Sequence, residues 1–252
     1  MSGKVAGAIT KRTLAAAVAM LSLGVVLVAG MAQSQAREGR LLRLDPDARL
    51  APDQRTAALA AGRRVFRAQC AGCHGPDGRG DTGYGAPNLA DRDWLYGTGA
   101  VGEIEQTIAY GIRSHQPKGW NLADMPAFGA PRPSAKERLD PLSPGDIGDV
   151  IAFLSARRGA TASAEAVARG RAIYQGRGGC YDCHGGDAAG DPAIGAPNLI
   201  DAVWLYGDGS PPSVFRSIAQ GRRGVMPGFA GRLSAVQLRQ VSLYVKSLSE
   251  AP

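Results

Sequence analysis

The sequence predicts an all-α protein, with two tandem helical domains behind an N-terminal hydrophobic segment. Three observations carry that reading. No charged residue occurs from Thr13 to Gln35. A set of short strings recurs downstream at an offset of 110 residues. Apolar residues in both copies follow the helical period, and no stretch alternates with the period of two of a half-buried strand.

The N-terminal segment comes first. Residues 1–12 carry Lys4, Lys11 and Arg12, and the apolar core Leu14–Ala32 follows. Its length falls between the hydrophobic region of a signal peptide and a minimal transmembrane helix. Ser34-Gln35-Ala36 has the small-x-small form of a cleavage site. Residues 1–36 are therefore expected to be a membrane anchor or a removable signal peptide, and either one delivers the rest of the chain outside the cytoplasm. Residues 37–56 alternate Arg and Asp around Pro46 and Pro52 and are expected to form an exposed linker.

The repeat sets the domain organisation. Cys70-Ala-Gly-Cys73-His74 recurs as Cys180-Tyr-Asp-Cys183-His184, and Gly85-Ala-Pro-Asn-Leu89 recurs as Gly195-Ala-Pro-Asn-Leu199. Trp94-Leu-Tyr-Gly97 recurs as Trp204-Leu-Tyr-Gly207. Met125-Pro126 matches Met226-Pro227 at an offset of 101, so the first copy carries nine extra residues between Arg113 and Met125. The expected domains are residues 57–158 and 164–252, joined by a hinge at 159–163.

Each copy reads as mostly helical. The first helix contains Gly62 and Phe66 in copy one, and Gly170 and Tyr174 in copy two. A Gly one turn before an aromatic suits close approach by a second helix. Ile104, Ile108 and Ile112 mark a middle helix, echoed by Val214 and Ile218. Ser143-Pro144-Gly145-Asp146 reads as a helix start, followed by the apolar face Ile147, Val150, Ile151 and Leu154. Ser234 and Gln237 form a capping box before Leu238, Val241, Tyr244, Val245 and Leu248.

The two Cys-x-x-Cys-His units carry the chemistry. Cysteines three apart on a helical turn can each form a thioether with one vinyl group of a porphyrin, and the next His then faces the iron. A zinc site would need four Cys/His ligands in one cluster. Pooling both copies supplies them but leaves the repeated flanks unexplained. A thioredoxin-type redox pair needs a strand–helix context and no adjacent His. Two structural disulfides would suit the compartment but not the histidines. The expected cofactors are two covalently bound haem c groups, with His74 and His184 as iron ligands. Of the five methionines, Met1, Met20 and Met31 lie in the leader, which leaves Met125 and Met226 as sixth ligands, one per repeat. A thioether favours ferrous iron and raises the potential. His115, in the nine-residue insertion, is the one competing ligand and is expected to be a surface or partner-facing residue. A ligating His needs an acceptor for its other ring N–H, and the carbonyls of Pro87 and Pro197 are the candidates. Leu89 and Leu199 are expected to pack on the porphyrin faces, and Trp94 and Trp204 to be structural core. Arg113, Arg222 and Arg223 are candidate propionate contacts or solvated side chains.

These residues resemble class I cytochrome c domains. The longer strings GAPNLADRDWLYG, TIAYGIRS and MPAFG, then GAPNLIDAVWLYG, GRRGVMPGF and YVKSLS, are similar to the dihaem subunit III of cbb3-type cytochrome c oxidases over residues 57–250. The resemblance implies a class I cytochrome fold twice over, a membrane anchor, and electron delivery to a haem–copper oxidase core. It also implies axial pairing of His74 with Met125 and of His184 with Met226.

Composition narrows the function further. In 252 residues, 44% are hydrophobic and 20% charged, which excludes a disordered chain and a polytopic membrane protein. Three of the net +7 charges lie in residues 1–36; the remaining +4 is interspersed, and four haem propionates would bring it near zero, so nucleic acid is not an expected partner. The expected function is electron transfer from a donor cytochrome c or bc1-type complex to the catalytic core of a cbb3-type oxidase. The chain would not be an enzyme on its own. Its partners would be the other oxidase subunits, at the bacterial inner membrane with the haem domains periplasmic. The alternative is a free or singly anchored periplasmic dihaem cytochrome serving another oxidoreductase. A dihaem peroxidase would need an openable sixth position, which a Met on each iron argues against.

Overall fold

The computed structural model of the chain describes residues 3–133 and 138–250. It divides into two compact units, with the division between Ala48 and Arg49. The first unit is one helix, α1 (Gly3–Arg43), whose part Leu14–Arg43 is long and apolar enough to cross a membrane. The helix runs into the stretch expected to be a linker. Nothing from Arg37 to Arg43 breaks a helix, whereas Pro46 cannot continue one and disfavours helical geometry at the residue before it.

The second unit begins with α2 (Pro52–Gln69), which has Pro52 and Asp53 in its first turn. The expected domain start at residue 57 therefore lies inside a helix, because Pro52 fits a first turn as well as a linker. There follow the one-turn α3 (Ala71–His74), α4 (Val101–Tyr110), a two-residue antiparallel ladder of β1 (Arg132–Pro133) with β2 (Arg138–Leu139), and α5 (Pro144–Arg157). The second repeat contributes α6 (Ala164–Gln175), one-turn α7 (Tyr181–His184), α8 (Pro211–Gln220) and α9 (Ala235–Ser249). The caps follow the sequence signals. The Asp146 N–H donates to Ser143 Oγ at 3.1 Å, and the Gln237 N–H to Ser234 Oγ at 3.3 Å. Ile112 keeps the apolar spacing of α4 but lies beyond it, because Gly111 at φ 74° ends the helix.

The repeats are units of sequence, yet each hydrophobic core is built from both. One core joins Phe66, Ile104, Ile108 and Ala109 of the first repeat to Phe229, Leu233, Leu238, Val241 and Val245 of the second. The other joins Phe128, Leu142, Ile147, Val150, Ile151, Phe153 and Leu154 of the first repeat to Ile173, Tyr174, Ala188, Val214 and Ile218 of the second. The closing helices are thus exchanged: α9 packs on α2 and α4, and α5 packs on α6 and α8. A Cβ at Gly62 would stand 2.0 Å from the Gln240 carbonyl oxygen, and one at Gly170 would stand 1.9 Å from that of Asp149. The expected close helix crossings are present, and each is made with the other repeat's helix.

The connection between α5 and α6 accounts for the exchange. Only residues 158–163 separate them, and Arg158, Gly159 and Ala160 donate back to carbonyls of the last turn of α5. So short a link makes the two helices antiparallel neighbours, which leaves α2 to be covered by α9. Residues 159–163 are a tight turn between packed helices rather than the expected hinge.

Ion pairs span both exchanges. Arg239 of α9 pairs with Glu105 of α4, largely buried, and Arg169 of α6 grips Asp149 of α5 through two bonds of 2.7 and 2.9 Å. Asp146 of α5 pairs with Arg177, and this partner together with the Ser143 hydroxyl holds its carboxyl down from 3.8 to about 2. A depressed carboxyl stabilises the fold above its ordinary pKa and loses that contribution as pH falls through the lowered value. Between about pH 4 and pH 2, Asp146→Asn is therefore expected to lose less thermal stability than the parent chain. Unfolding midpoints across that window measure the difference.

Candidate haem sites

Each Cys-x-x-Cys-His unit forms one tight helical turn. The N–H groups of Cys73 and His74 donate to the Cys70 carbonyl at 3.1 and 3.0 Å, and those of Cys183 and His184 to Cys180 at 3.3 and 3.0 Å. This turn brings both thiols and the imidazole of each unit onto a single turn of helix. None of the four cysteines is in a disulfide. Burial, with Cys73 nearby, pushes the Cys70 thiol up to about 11, and burial raises Cys183 as well. A redox-active Cys-x-x-Cys pair shifts the other way. Among the described residues, no three His, Cys, Asp or Glu side chains gather as a metal cluster, so the two units do not pool into a zinc site.

The histidines are held as iron ligands would be. His74 Nδ1 lies 3.1 Å from the Pro87 carbonyl oxygen, and His184 Nδ1 lies 2.9 Å from that of Pro197. A carbonyl only accepts, so Nδ1 carries the proton and Nε2 keeps its lone pair for a metal. Burial lowers both imidazole pKa values against the pull of these bonds, which favours the neutral, ligating ring. The carbonyls are fixed by the loops around them: Asp81 and Ala86 bond reciprocally, as do Asp191 and Ala196. Leu89 and Cys70 line the core that contains Phe66, and Leu199 and Cys180 line the core that contains Tyr174.

The methionines follow the exchanged helices. Met226 packs against the core that holds Cys70 and Leu89, and Met125 against the core that holds Cys180 and Leu199. Backbone pairing fixes both: Met226 and Ile112 exchange hydrogen bonds of 2.9 and 3.0 Å, and Met125 and Arg222 do the same. Gly111 and Gly221 make room, since a Cβ on either would meet the carbonyl oxygen of the opposite methionine at 2.3 or 2.6 Å. Each methionine therefore packs in the core of the other repeat's first cysteine, whereas the resemblance implied partnership within each repeat. The reason is the same short α5–α6 connection: a methionine segment travels with the closing helix that follows it.

Residues 59–157 match the family model for cytochrome c, and residues 165–245 match that for cytochrome c oxidase, cbb3-type, subunit III. The chain is 38% identical over 198 residues to the cbb3-type cytochrome c oxidase subunit FixP of Bradyrhizobium sp. (strain ORS 278), covering 78% of this chain and 63% of that relative. It is 38% identical over 191 residues to subunit CcoP of Cereibacter sphaeroides, covering 76% and 61%. With subunit CcoP of Rhodobacter capsulatus (strain ATCC BAA-309) it shares 38% identity over 224 residues, covering 85% of this chain and 71% of the relative. The chain belongs to the cbb3-type cytochrome c oxidase subunit III family. It spans just under two thirds of the length of the Bradyrhizobium and Cereibacter subunits. Cytochrome c domains carry covalently bound haem c, and the residues of this family member fit two such groups. Each site draws two cysteines on one turn and a His with Nδ1 on a carbonyl from one repeat, and a Met in the same core from the other.

The remaining sequence candidates take other places in this family member. Trp94 and Trp204 lie half-buried at the edges of the two cores, under Lys246 and Arg158 respectively. His115 is exposed at the tip of the insertion, which is closed by Trp120: its indole N–H donates to Thr107 Oγ1 at 2.9 Å and its ring packs on Tyr96. Arg222 lies over the Tyr206 ring at 4.4 Å, and Arg223 pairs with Asp124 at 3.3 Å. Sequence reasoning missed Tyr96 and Tyr206. A Cβ at Gly195 would strike the Tyr96 ring at 2.0 Å, and one at Gly85 the Tyr206 ring at 2.1 Å, so each tyrosine seats on the other repeat's Gly-Ala-Pro-Asn-Leu loop. Reciprocal bonds from Gly97 to Pro192 and from Gly207 to Thr82 reinforce the contact. The repeated Trp-Leu-Tyr-Gly string was the available signal.

Proposed function

We propose that this chain is the dihaem electron-transfer subunit of a cbb3-type oxidase, passing electrons from a donor cytochrome to the catalytic core. The observation that carries the reading is the doubled arrangement of cysteines, buried His and core Met in a member of that subunit family. Each haem, when bound, supplies a one-electron centre. The protein's part is to hold two such centres close together, bias them toward the ferrous state through sulfur, and keep water from the iron faces. The apolar helix Leu14–Arg43 supports anchoring at the inner membrane, with the haem-bearing unit on the periplasmic side. Copper-containing oxidase subunits are expected to co-purify with the chain from solubilised membranes. Recovery wholly in the soluble periplasmic fraction, without them, would overturn the reading.

His74 with Met226, and His184 with Met125, would hold the two haem irons, since each methionine shares a core with the first cysteine of that unit. A full-length chain carrying Cys70→Ala and Cys73→Ala retains one haem, on His184. Its far-red methionine-to-iron absorption band is expected to vanish with Met125→Ala and to survive Met226→Ala. The opposite result would restore pairing within each repeat.

A further inference from the structure

The repeat equates Ala123 with Gly224, each two residues before its methionine. Arg113 bonds to both carbonyls: Nη1 donates to Ala123 O at 2.9 Å and Nε to Gly224 O. Nη1 also donates at 3.2 Å to the hydroxyl of Tyr96, whose ring seats on Gly195 in the loop that reaches Pro197. A guanidinium that bonds the same position in both repeats stands on the local twofold relation between them. A symmetric pair of side chains cannot share that place. Arg223, the equivalent of Arg113, is turned outward to Asp124, and the side chains of Arg223 and Asp124 are both more than half exposed, at 64% and 51%. The insertion that follows Arg113 breaks the symmetry: the Arg113 N–H donates to Trp120 O at 2.9 Å, and the residue sits in the left-handed region at φ 50°. A backbone held there by the insertion aims the side chain back between the two methionine segments.

We propose that Arg113 positions both methionine sulfurs at once, coupling the ligation of the two haem irons through one guanidinium. The inference rests on the haem reading above. A planar fork is required, since Nε and Nη1 point to different sides of one rigid plane and so reach carbonyls on two separate segments. An ammonium on a flexible stem cannot bridge them in the same way. Were one sulfur displaced from a bound haem, its segment would relax and pull on the shared guanidinium. The other segment would then lose part of its support, so displacement at one iron would make displacement at the other more favourable at equilibrium. Such coupling is reciprocal by linkage.

Imidazole displaces a methionine ligand and serves as the probe, on full-length protein matured with both haems. In the native chain the far-red band is expected to disappear cooperatively, with a titration steeper than that of two independent sites. Arg113→Lys and Arg113→Gln are expected to keep two haems per chain while the titration flattens to independent behaviour. In Arg113→Gln, more than half of the starting band is also lost, because both segments loosen. Arg223→Gln is expected to titrate like the native chain. Independent displacement in the native chain overturns the proposal without any variant having to fold, as does an unchanged titration in both Arg113 variants. A within-repeat result in the single-haem experiment would overturn the axial pairing and leave this bracket intact, since Arg113 holds both segments whichever iron each one serves. The two failures are therefore distinct.

Discussion

Val241→Asp, in the last helix of the chain, is expected to disable the haem site on His74, near the start of the folded unit, and to spare the site on His184. Val241 is fully buried in the core shared with Phe66, Ile104 and Ile108. An unpaired carboxylate placed there costs about 4 kcal/mol or more. That is comparable to the whole margin by which a small domain is stable, so α9 would leave α2 and α4 and take the Met226 segment with it. In chains reduced to a single haem, the far-red band should be lost when the haem is on His74 and kept when it is on His184. Val150→Asp in α5 should give the mirror image, because Val150 lies in the core with Tyr174 and Ile173. A cytochrome built repeat by repeat would show the opposite assignment for both substitutions.

Gly62→Ala and Gly170→Ala are each expected to destabilise the protein by about 3 kcal/mol. The sign is what makes them informative. Ala is the better helix former, and at an unconstrained helical site the change stabilises by about 0.5–1 kcal/mol. In α2 the new methyl would lie 2.0 Å from the Gln240 carbonyl oxygen and 2.8 Å from Tyr244 Cβ; in α6 it would lie 1.9 Å from that of Asp149. These obstacles are mostly backbone, so the helices themselves must separate. Gly148 of α5 has nothing within 4 Å of an added Cβ, so Gly148→Ala is the internal control and is expected to stabilise. Denaturant midpoints of the three variants measure the contrast directly.

Most of this site was legible in the sequence because its chemistry is local. A Cys-x-x-Cys-His turn brings two thiols and an imidazole together within five residues, and the rigid Gly-Ala-Pro-Asn-Leu loop brings a carbonyl to each His. The helix caps at Ser143 and Ser234 were equally local and equally readable. The partnership of the halves was not. Both closing helices carry the same kind of apolar face, Ile147, Val150 and Leu154 in one and Leu238, Val241 and Val245 in the other. Either would cover either crossing glycine, so a repeat is degenerate about which copy touches which. The deciding quantity is the length of the connection between α5 and α6, which a self-comparison does not weigh. The extension of α1 to Arg43 was missed for a related reason, since Pro46 punctuates the chain only after the helix has already run through the charged residues.

The exchange of closing helices also orders the way the protein can be completed. A polypeptide that emerges N-terminus first holds every residue of the core around Tyr174 once Ile218 has appeared, whereas the core around Phe66 still awaits Phe229 through Val245. The pocket encoded first is therefore the last to be sealed. Its cysteines remain open to haem attachment until α9 has emerged.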